Sequence, residues 1–122
     1  MEVDSQQEDL NTPQAQPKTV SVSRSPPEDM QNATYSFTGE DHTLGNIVRN
    51  QIVKNKHVEF CAYSVPHPSE QICNIRIQLA EGSDIETNKV LEASLKRVSK
   101  ICDVLEEKFT ERLKEFKGKM EE

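Results

Sequence analysis

The sequence predicts an α+β fold in which a small antiparallel sheet packs with helices and one long helix closes the chain. Residues Ile72 to Leu79 alternate apolar and polar, which is typical of a half-buried strand. Residues 42 to about 55 place their apolar side chains on one helical face. A much longer helical pattern runs from about residue 85 to residue 117. The length of 122 residues allows one domain at most.

Composition divides this chain at residue 32. Residues 1–32 hold six acidic and two basic residues, four of the six prolines and no aromatic residue. Such a segment cannot bury enough apolar surface to offset the entropy lost on ordering. We therefore predict a disordered acidic tail over 1–32 and a folded domain over 33–122.

Charge and hydropathy exclude several classes of function. The net charge is −6, whereas a freestanding DNA-binding module normally has a basic face. No run of about 20 apolar residues is present, so we predict no membrane span. The acidic start, Met1-Glu2-Val3-Asp4, is unlike a signal peptide. An odd cysteine count without a secretory signal favours a reducing, intracellular setting.

The first elements are a short strand over 33–38, a turn at 39–41 and a helix from residue 42. Asp41 is the predicted N-cap, with Thr43 as its competitor. The apolar face of the helix consists of Leu44, Ile47, Val48 and Ile52. Gly45 lies in the first turn, where it costs up to about 1 kcal/mol relative to Ala. Its presence is most easily explained by the close approach of another backbone.

An antiparallel hairpin is predicted next. Residues 58–65 and 72–79 are its strands, and the two prolines between them require a loop because they remove ladder donors. In the first strand Val58, Phe60 and Ala62 share one predicted face, and both faces have apolar side chains.

The closing helix has Ser83 or Asp84 as its predicted N-cap. Its apolar positions repeat at steps of three and four, close to a coiled-coil pattern. These positions are Leu91, Leu95, Val98, Cys102, Leu105, Phe109, Leu113 and Phe116. Ile101 widens this seam in the middle.

The length of this helix predicts a partner. About 33 residues span roughly 50 Å, whereas a compact domain of 90 residues is about 30 Å across. The apolar seam continues along the overhang, and an exposed stripe of that length indicates a binding surface. We expect a permanent partner with a complementary apolar surface; a break near residue 108 is the alternative.

The sequence contains only weak indications of a catalytic, metal or nucleic-acid site. Cys61, His67 and Cys73 allow a thiol or metal enzyme as one hypothesis, but no C-x-x-C is present and buried structural thiols are the favoured interpretation. Lys96, Arg97 and Lys100 favour a salt-laced helix surface over a nucleic-acid contact. We predict no catalytic residues, no metal and no cofactor.

Residues 40–49, Glu-Asp-His-Thr-Leu-Gly-Asn-Ile-Val-Arg, closely resemble the signature of the small alpha-like subunits of archaeal and eukaryotic RNA polymerases. The resemblance continues through residues 58–70 and 74–78, and covers roughly 33–117. Leu-Gly-Asn and Glu-Phe-Cys-Ala-Tyr look most like the small subunit shared by RNA polymerases I and III. The RNA polymerase II counterpart is the alternative, and a stand-alone coiled-coil adaptor is the alternative from another class.

The resemblance implies a dimerisation domain related to half of the bacterial alpha-subunit amino-terminal dimer. It implies an obligate heterodimer with a larger alpha-like subunit, docking of the second-largest subunit and small assembly subunits, and a non-catalytic role. It also implies transcription of rRNA, 5S rRNA and tRNA in the nucleus, including the nucleolus, with no direct DNA binding and no membrane.

Two sets of residues follow from this resemblance. The expected heterodimer interface consists of Leu44, Gly45, Ile47, Val48, Ile52, Leu91, Leu95, Val98, Cys102, Leu105, Phe109 and Leu113. The residues that match the family motif are Asp41, His42, Thr43, Leu44, Gly45, Asn46 and Arg49.

Overall fold

Four antiparallel strands and two helices make up the computed structural model, which describes residues 18–121. In chain order the elements are β1 (Val20–Ser23), β2 (Asn32–Thr38), α1 (His42–Ile52), β3 (Val58–Ser64), β4 (Ile72–Leu79) and α2 (Thr87–Met120). The strand order in the sheet is β1-β2-β4-β3. The predicted α+β class and the β3–β4 hairpin are therefore confirmed.

Alternation decides which side of the sheet is covered. Along β4, Ile75 and Ile77 are fully buried, and their cross-strand neighbours on β2 are Tyr35 and Ala33, which are buried too. Residues directly opposite in a sheet share a face, so these side chains form one apolar layer under the helices. The polar residues between them line the other face, which no element of the described chain covers.

A β-bulge explains why β3 lacks a clean alternation. The pairing shifts register between Val58 and Phe60, so Val58 is opposite buried Leu79 whereas Phe60 is opposite the half-buried Gln78. An extra residue on one strand turns the following side chains to the other face. The prediction that Val58 and Phe60 share a face is therefore wrong, and Phe60 lies 47% exposed on the uncovered face.

Helix α1 begins as predicted. Asp41 has an extended backbone, and its carboxylate accepts a hydrogen bond of 3.0 Å from the Thr43 backbone N–H. This contact satisfies one of the free donors at the helix start. Val48 and Ile52 have no exposed surface, because the apolar face of α1 lies on the sheet.

Helix α2 begins later than its capping residues predicted. Its N-cap is Glu86, whose side chain makes no capping hydrogen bond. Ser83 instead donates to the Ala80 carbonyl at 2.6 Å and closes a preceding turn. The first helical residue, Thr87, is buried, and its backbone N–H donates to the Met30 carbonyl at 3.0 Å. A contact with a distant segment therefore fixes this helix start, and local capping does not.

The predicted boundary of the acidic tail at residue 32 is wrong for residues 18–31. Strand β1 pairs with β2, and Arg24 donates to the Asp29 carbonyl at 2.8 Å and to the Asn88 side chain at 2.9 Å. The last bond joins residues 64 positions apart, so composition alone could not reveal it. Residues 1–17 lie outside the described part of the chain, and their disorder stays a prediction.

Gly45 explains how closely α1 approaches the sheet. A Cβ added there would lie 2.6 Å from Tyr63 Cδ2 and 2.7 Å from Cys73 Sγ. Real Cβ atoms do not approach other atoms so closely, so only glycine fits this position without displacing the side chains of Tyr63 and Cys73. Side chains of the same chain make this close approach, and not the backbone that the sequence led us to expect.

Gly45→Ala should therefore lower the melting temperature. Overpacking costs about 1–3 kcal/mol, which exceeds the helix-propensity gain of up to about 1 kcal/mol. Thermal unfolding monitored by circular dichroism measures the change, and several degrees are expected for a domain of this size.

Gly118→Ala is the matched control, since nothing lies within 4 Å of its added Cβ. This control should leave the melting temperature unchanged or slightly raised. Equal melting temperatures for the two variants would contradict the packing argument.

Candidate functional site

The distal part of α2 has seven of the 13 exposed large apolar side chains of the described chain. Every residue from 99 to 121 is exposed. The large apolar side chains of this overhang keep 38–73% of their surface accessible. They are Ile101, Val104, Leu105, Phe109, Leu113, Phe116 and Met120. Isolated apolar residues on a surface are ordinary, but a continuous row of this size indicates a binding surface.

One stripe of α2 serves both the core and this surface. Near the start of the helix Val90 and Leu91 are buried against the sheet, whereas Leu95 and Val98 are half-buried at the border. Residues 105, 109, 113, 116 and 120 continue the same face by steps of three and four. The stripe therefore leaves the domain without changing direction, because the sheet ends before the helix does. We refer to the seven exposed apolar residues of the overhang, from Ile101 to Met120, as the α2 stripe.

The structure divides the predicted interface residues into three groups. Gly45, Val48, Ile52 and Leu91 lie in the core of this chain, and Leu91 keeps only 7% of its surface. Their burial within this chain leaves little surface for a partner to contact, and their assignment to the interface stays a prediction. Leu44, Leu95 and Val98 are half-buried at the rim of the core. Ile47, Cys102, Leu105, Phe109 and Leu113 are exposed, and their place in an interface stays a prediction.

Sequence reasoning missed two residues of the exposed surface, Val104 and Met120. Val104 lies three positions after Ile101, so the same helical spacing could have found it. The seam repeat passes through residues 98, 102, 105 and 109, so it marks the centre of the stripe and leaves out Val104 on its flank.

A groove opens beside the stripe, between α1 and α2. It encloses about 460 Å³, and its floor is apolar. Its lining consists of Gln51 from α1 and Arg97, Lys100, Ile101, Val104, Leu105 and Lys108 from α2. Three of these seven residues are cationic and none is acidic, so we call this feature the basic groove.

The other side of α2 has the opposite charge. A shallow depression there is lined by Asp103, Glu106, Glu107, Thr110, Glu111 and Lys114. Lys96 is held by Glu92 at 3.0 Å, and this hydrogen-bonded ion pair lowers the pKa of the Glu92 carboxyl. The structure therefore divides the predicted basic cluster. Lys96 is on the surface of α2 that has the ion pair with Glu92, whereas Arg97 and Lys100 line the basic groove.

The motif residues hold α1 in place. His42 Nδ1 lies 3.3 Å from the Tyr63 hydroxyl, and the two rings meet edge to face at 5.7 Å. Arg49 donates to the Asn46 side chain at 2.9 Å on the exposed side of α1. Together with the Asp41 cap, these contacts fix the helix start on β3. His42 is therefore engaged by the Tyr63 hydroxyl.

The cysteines of the hairpin are placed as structural thiols. Cys61 is opposite Ile77 of β4. Cys73 lies four residues before Ile77 on the same strand, so about 13 Å of strand separates Cys73 from the position opposite Cys61. Burial raises the pKa of Cys61 to about 11 and also raises the pKa of Cys73. Thiols with raised pKa values are weak nucleophiles and poor metal ligands at neutral pH. Within residues 18–121 no group of three or more His, Cys, Asp or Glu side chains is placed to hold a metal ion.

None of the helices described here has the length and apolarity needed to cross a membrane. The exposed apolar residues of α2 alternate with charged ones, which is the pattern of an amphipathic protein-binding helix.

Comparison with known proteins adds a family to this geometry. A family model described as the RNA polymerase Rpb3/Rpb11 dimerisation domain matches residues 32–108. The crystal structure of DNA-directed RNA polymerase subunit L from Thermoplasma acidophilum superposes with a TM-score of 0.67, covering 84% of this chain and 96% of that one. With 16% sequence identity, this second likeness concerns the fold alone.

Curated relatives are similar at the level of sequence. The protein named DNA-directed RNA polymerases I and III subunit RPAC2 in Saccharomyces cerevisiae is 49% identical over 88 residues, which cover 71% of this chain and 60% of that protein. The protein of the same name in Schizosaccharomyces pombe is 47% identical, covering 70% and 66%. The Danio rerio protein is 41% identical, covering 72% and 77%. The matched region thus spans less than two thirds of the two yeast proteins.

Proposed function

This chain belongs to the Rpb3/Rpb11 dimerisation-domain family of RNA polymerase subunits, and from that premise we propose that it is a non-catalytic assembly subunit of DNA-directed RNA polymerases I and III. It forms an obligate heterodimer with the larger alpha-like subunit. That heterodimer nucleates polymerase assembly by docking the second-largest subunit and the small assembly subunits. The polymerases it serves transcribe rRNA, 5S rRNA and tRNA in the nucleus, including the nucleolus.

The observation that carries this proposal is the α2 stripe. A helix of 34 residues is about 51 Å long, and its exposed half continues an apolar face that the core of this chain leaves uncovered. A dimerisation partner that lays its own helix along the stripe would complete the core. The carboxylates on the opposite side of α2 keep the helix soluble on its outer face.

The size of the stripe indicates how far the interface must extend. Full burial of a large apolar side chain contributes about 1.5–3 kcal/mol, and roughly half of each exposed side chain remains to be buried. Seven such side chains contribute roughly 5–10 kcal/mol, whereas association costs about 4–15 kcal/mol. The stripe alone therefore does not secure an obligate dimer. The half-exposed Ile47 and Val53 of the neighbouring α1 region extend the same surface.

The relatives favour polymerases I and III over polymerase II. The two yeast proteins and the zebrafish protein are all named as subunits of polymerases I and III. No observation on the described residues favours a direct DNA contact, because the free cations of α2 flank an apolar groove.

Affinity purification of the tagged full chain from nuclear extract tests the assignment to polymerases I and III. We expect the largest subunits of polymerases I and III to co-purify, identified by mass spectrometry. A tagged polymerase II subunit of the same family is the matched control. Recovery of the polymerase II largest subunit with this chain would replace the assignment by its polymerase II counterpart.

Leu105→Asp should abolish most heterodimer recovery when the chain is co-expressed with the larger alpha-like subunit. Leu105 is 62% exposed, so the charge enters the α2 stripe without opening a cavity in the core. Burying an unpaired carboxylate at the partner surface costs several kcal/mol. Lys96→Asp, on the salt-laced side of the same helix, is the control and should have little effect. Equal losses for both variants would mean that the stripe does not form the interface.

Cys102 reports on the same surface, since it is exposed on α2 and lies beside the stripe. In the purified heterodimer at pH 7.5 we expect iodoacetamide to modify Cys102 at least tenfold more slowly than an introduced cysteine in Glu107→Cys, which is on the acidic side. Peptide mass spectrometry measures both rates. Cys61, with its pKa of about 11, should react slowly in either variant. Equal rates at positions 102 and 107 would contradict burial of the stripe.

A further inference from the structure

We propose that the basic groove selects an apolar segment flanked by Asp and Glu side chains on the larger alpha-like subunit, and that it rejects a second copy of this chain. This inference rests on the proposed function, because it assigns a recognition chemistry to the same dimerisation surface. It adds a reason for forming a heterodimer over a homodimer, which apolar complementarity alone does not provide.

The groove combines an apolar floor with a charged rim. Ile101, Val104 and Leu105 form the floor, and Arg97, Lys100 and Lys108 stand around it. Positions 97, 101, 104 and 108 follow one another by four, three and four residues, so they share a flank of α2. Gln51, near the end of α1, closes the groove on the other side. An occupant must therefore present apolar side chains to the floor and acceptors to the rim.

The rim cations have no acidic partner in the described chain. The ion pairs among residues 18–121 involve Lys18, Lys96 and Arg112, and none of them involves a rim cation. When an apolar segment covers the floor, water is displaced and the effective dielectric constant falls. Carboxylates placed beside the rim then interact more strongly than on an open surface.

A second copy of this chain is a poor source of those carboxylates. Symmetric dimers bring the same patch of two subunits together, so the two rims would face each other as like charges. Two acidic residues of α2, Asp103 and Glu107, are one turn apart and lie on the side of the helix opposite Leu105. A copy that buries its apolar stripe therefore turns these two carboxylates away from the rim. Like-charge contacts at an interface are unfavourable and discriminate between partners.

Charge reversal of the rim tests the proposal in the co-expressed heterodimer. The variant carries Arg97→Glu, Lys100→Glu and Lys108→Glu. The control carries Lys89→Glu, Lys96→Glu and Lys114→Glu, which change the net charge equally on the polar side of α2. We expect the rim variant to lower heterodimer recovery at least tenfold at 0.1 M salt, with partial recovery at 1 M salt, where the screening length falls to about 3 Å. The control should remain within about twofold of the unmodified chain.

The outcomes separate the two proposals. If the unmodified chain does not bind the larger subunit, the proposed function fails. If it binds and the rim variant binds equally well, the selection by charge is overturned while the proposed function stands.

A neutral variant, Arg97→Gln with Lys100→Gln and Lys108→Gln, covers the case in which the reversed variant does not fold. It should give intermediate recovery with normal helical content by circular dichroism, and recovery equal to the unmodified chain would overturn the inference. A discrete homodimer of the unmodified chain through this groove, detected by cross-linking Lys100 to Lys108 between copies, would also overturn it.

Discussion

The mismatch in length between α2 and the sheet is the constraint on which the rest of the structure depends. The strands are four to eight residues long, whereas α2 has 34 residues. The first turns of α2 bury Val90 and Leu91 against the sheet, and the later turns have nothing of their own chain to contact. Because the apolar stripe continues past the sheet, one periodic pattern builds the core with its first half and leaves its second half exposed.

The contact between α1 and the hairpin sets the place of the second helix. Gly45 allows α1 to lie directly on Tyr63 and Cys73, and the Asp41 cap and the His42–Tyr63 contact fix the helix start there. With α1 in this position, α2 packs beside it and the basic groove opens between them. The motif that resembles the polymerase family thus has a structural role inside the chain, because it positions α1 on the hairpin.

Short periodic segments were predictable, and long-range contacts were not. Strand β4 and the start of α1 agree with their predicted bounds, because alternation and an N-cap are local signals. Strand β1 escaped notice because it lies in an acidic, proline-rich segment and is held by Arg24, which bonds to Asn88 far along the chain. The bulge in β3 likewise depends on pairing with β4. These features exist only when distant residues meet.

The sequence by itself determined the class of fold, the length of α2, the continuity of its apolar face and the need for a partner. Only the tertiary structure decided which chain covers each part of that face. Periodicity shows that a side chain is to be buried, but it does not say against what. The sheet ends before α2 does, so Leu91 belongs to the core, whereas Leu105 and Phe109 are exposed on the α2 stripe. The distance from each residue to the sheet separates Leu91 from Leu105 and Phe109, and no local sequence pattern encodes that distance.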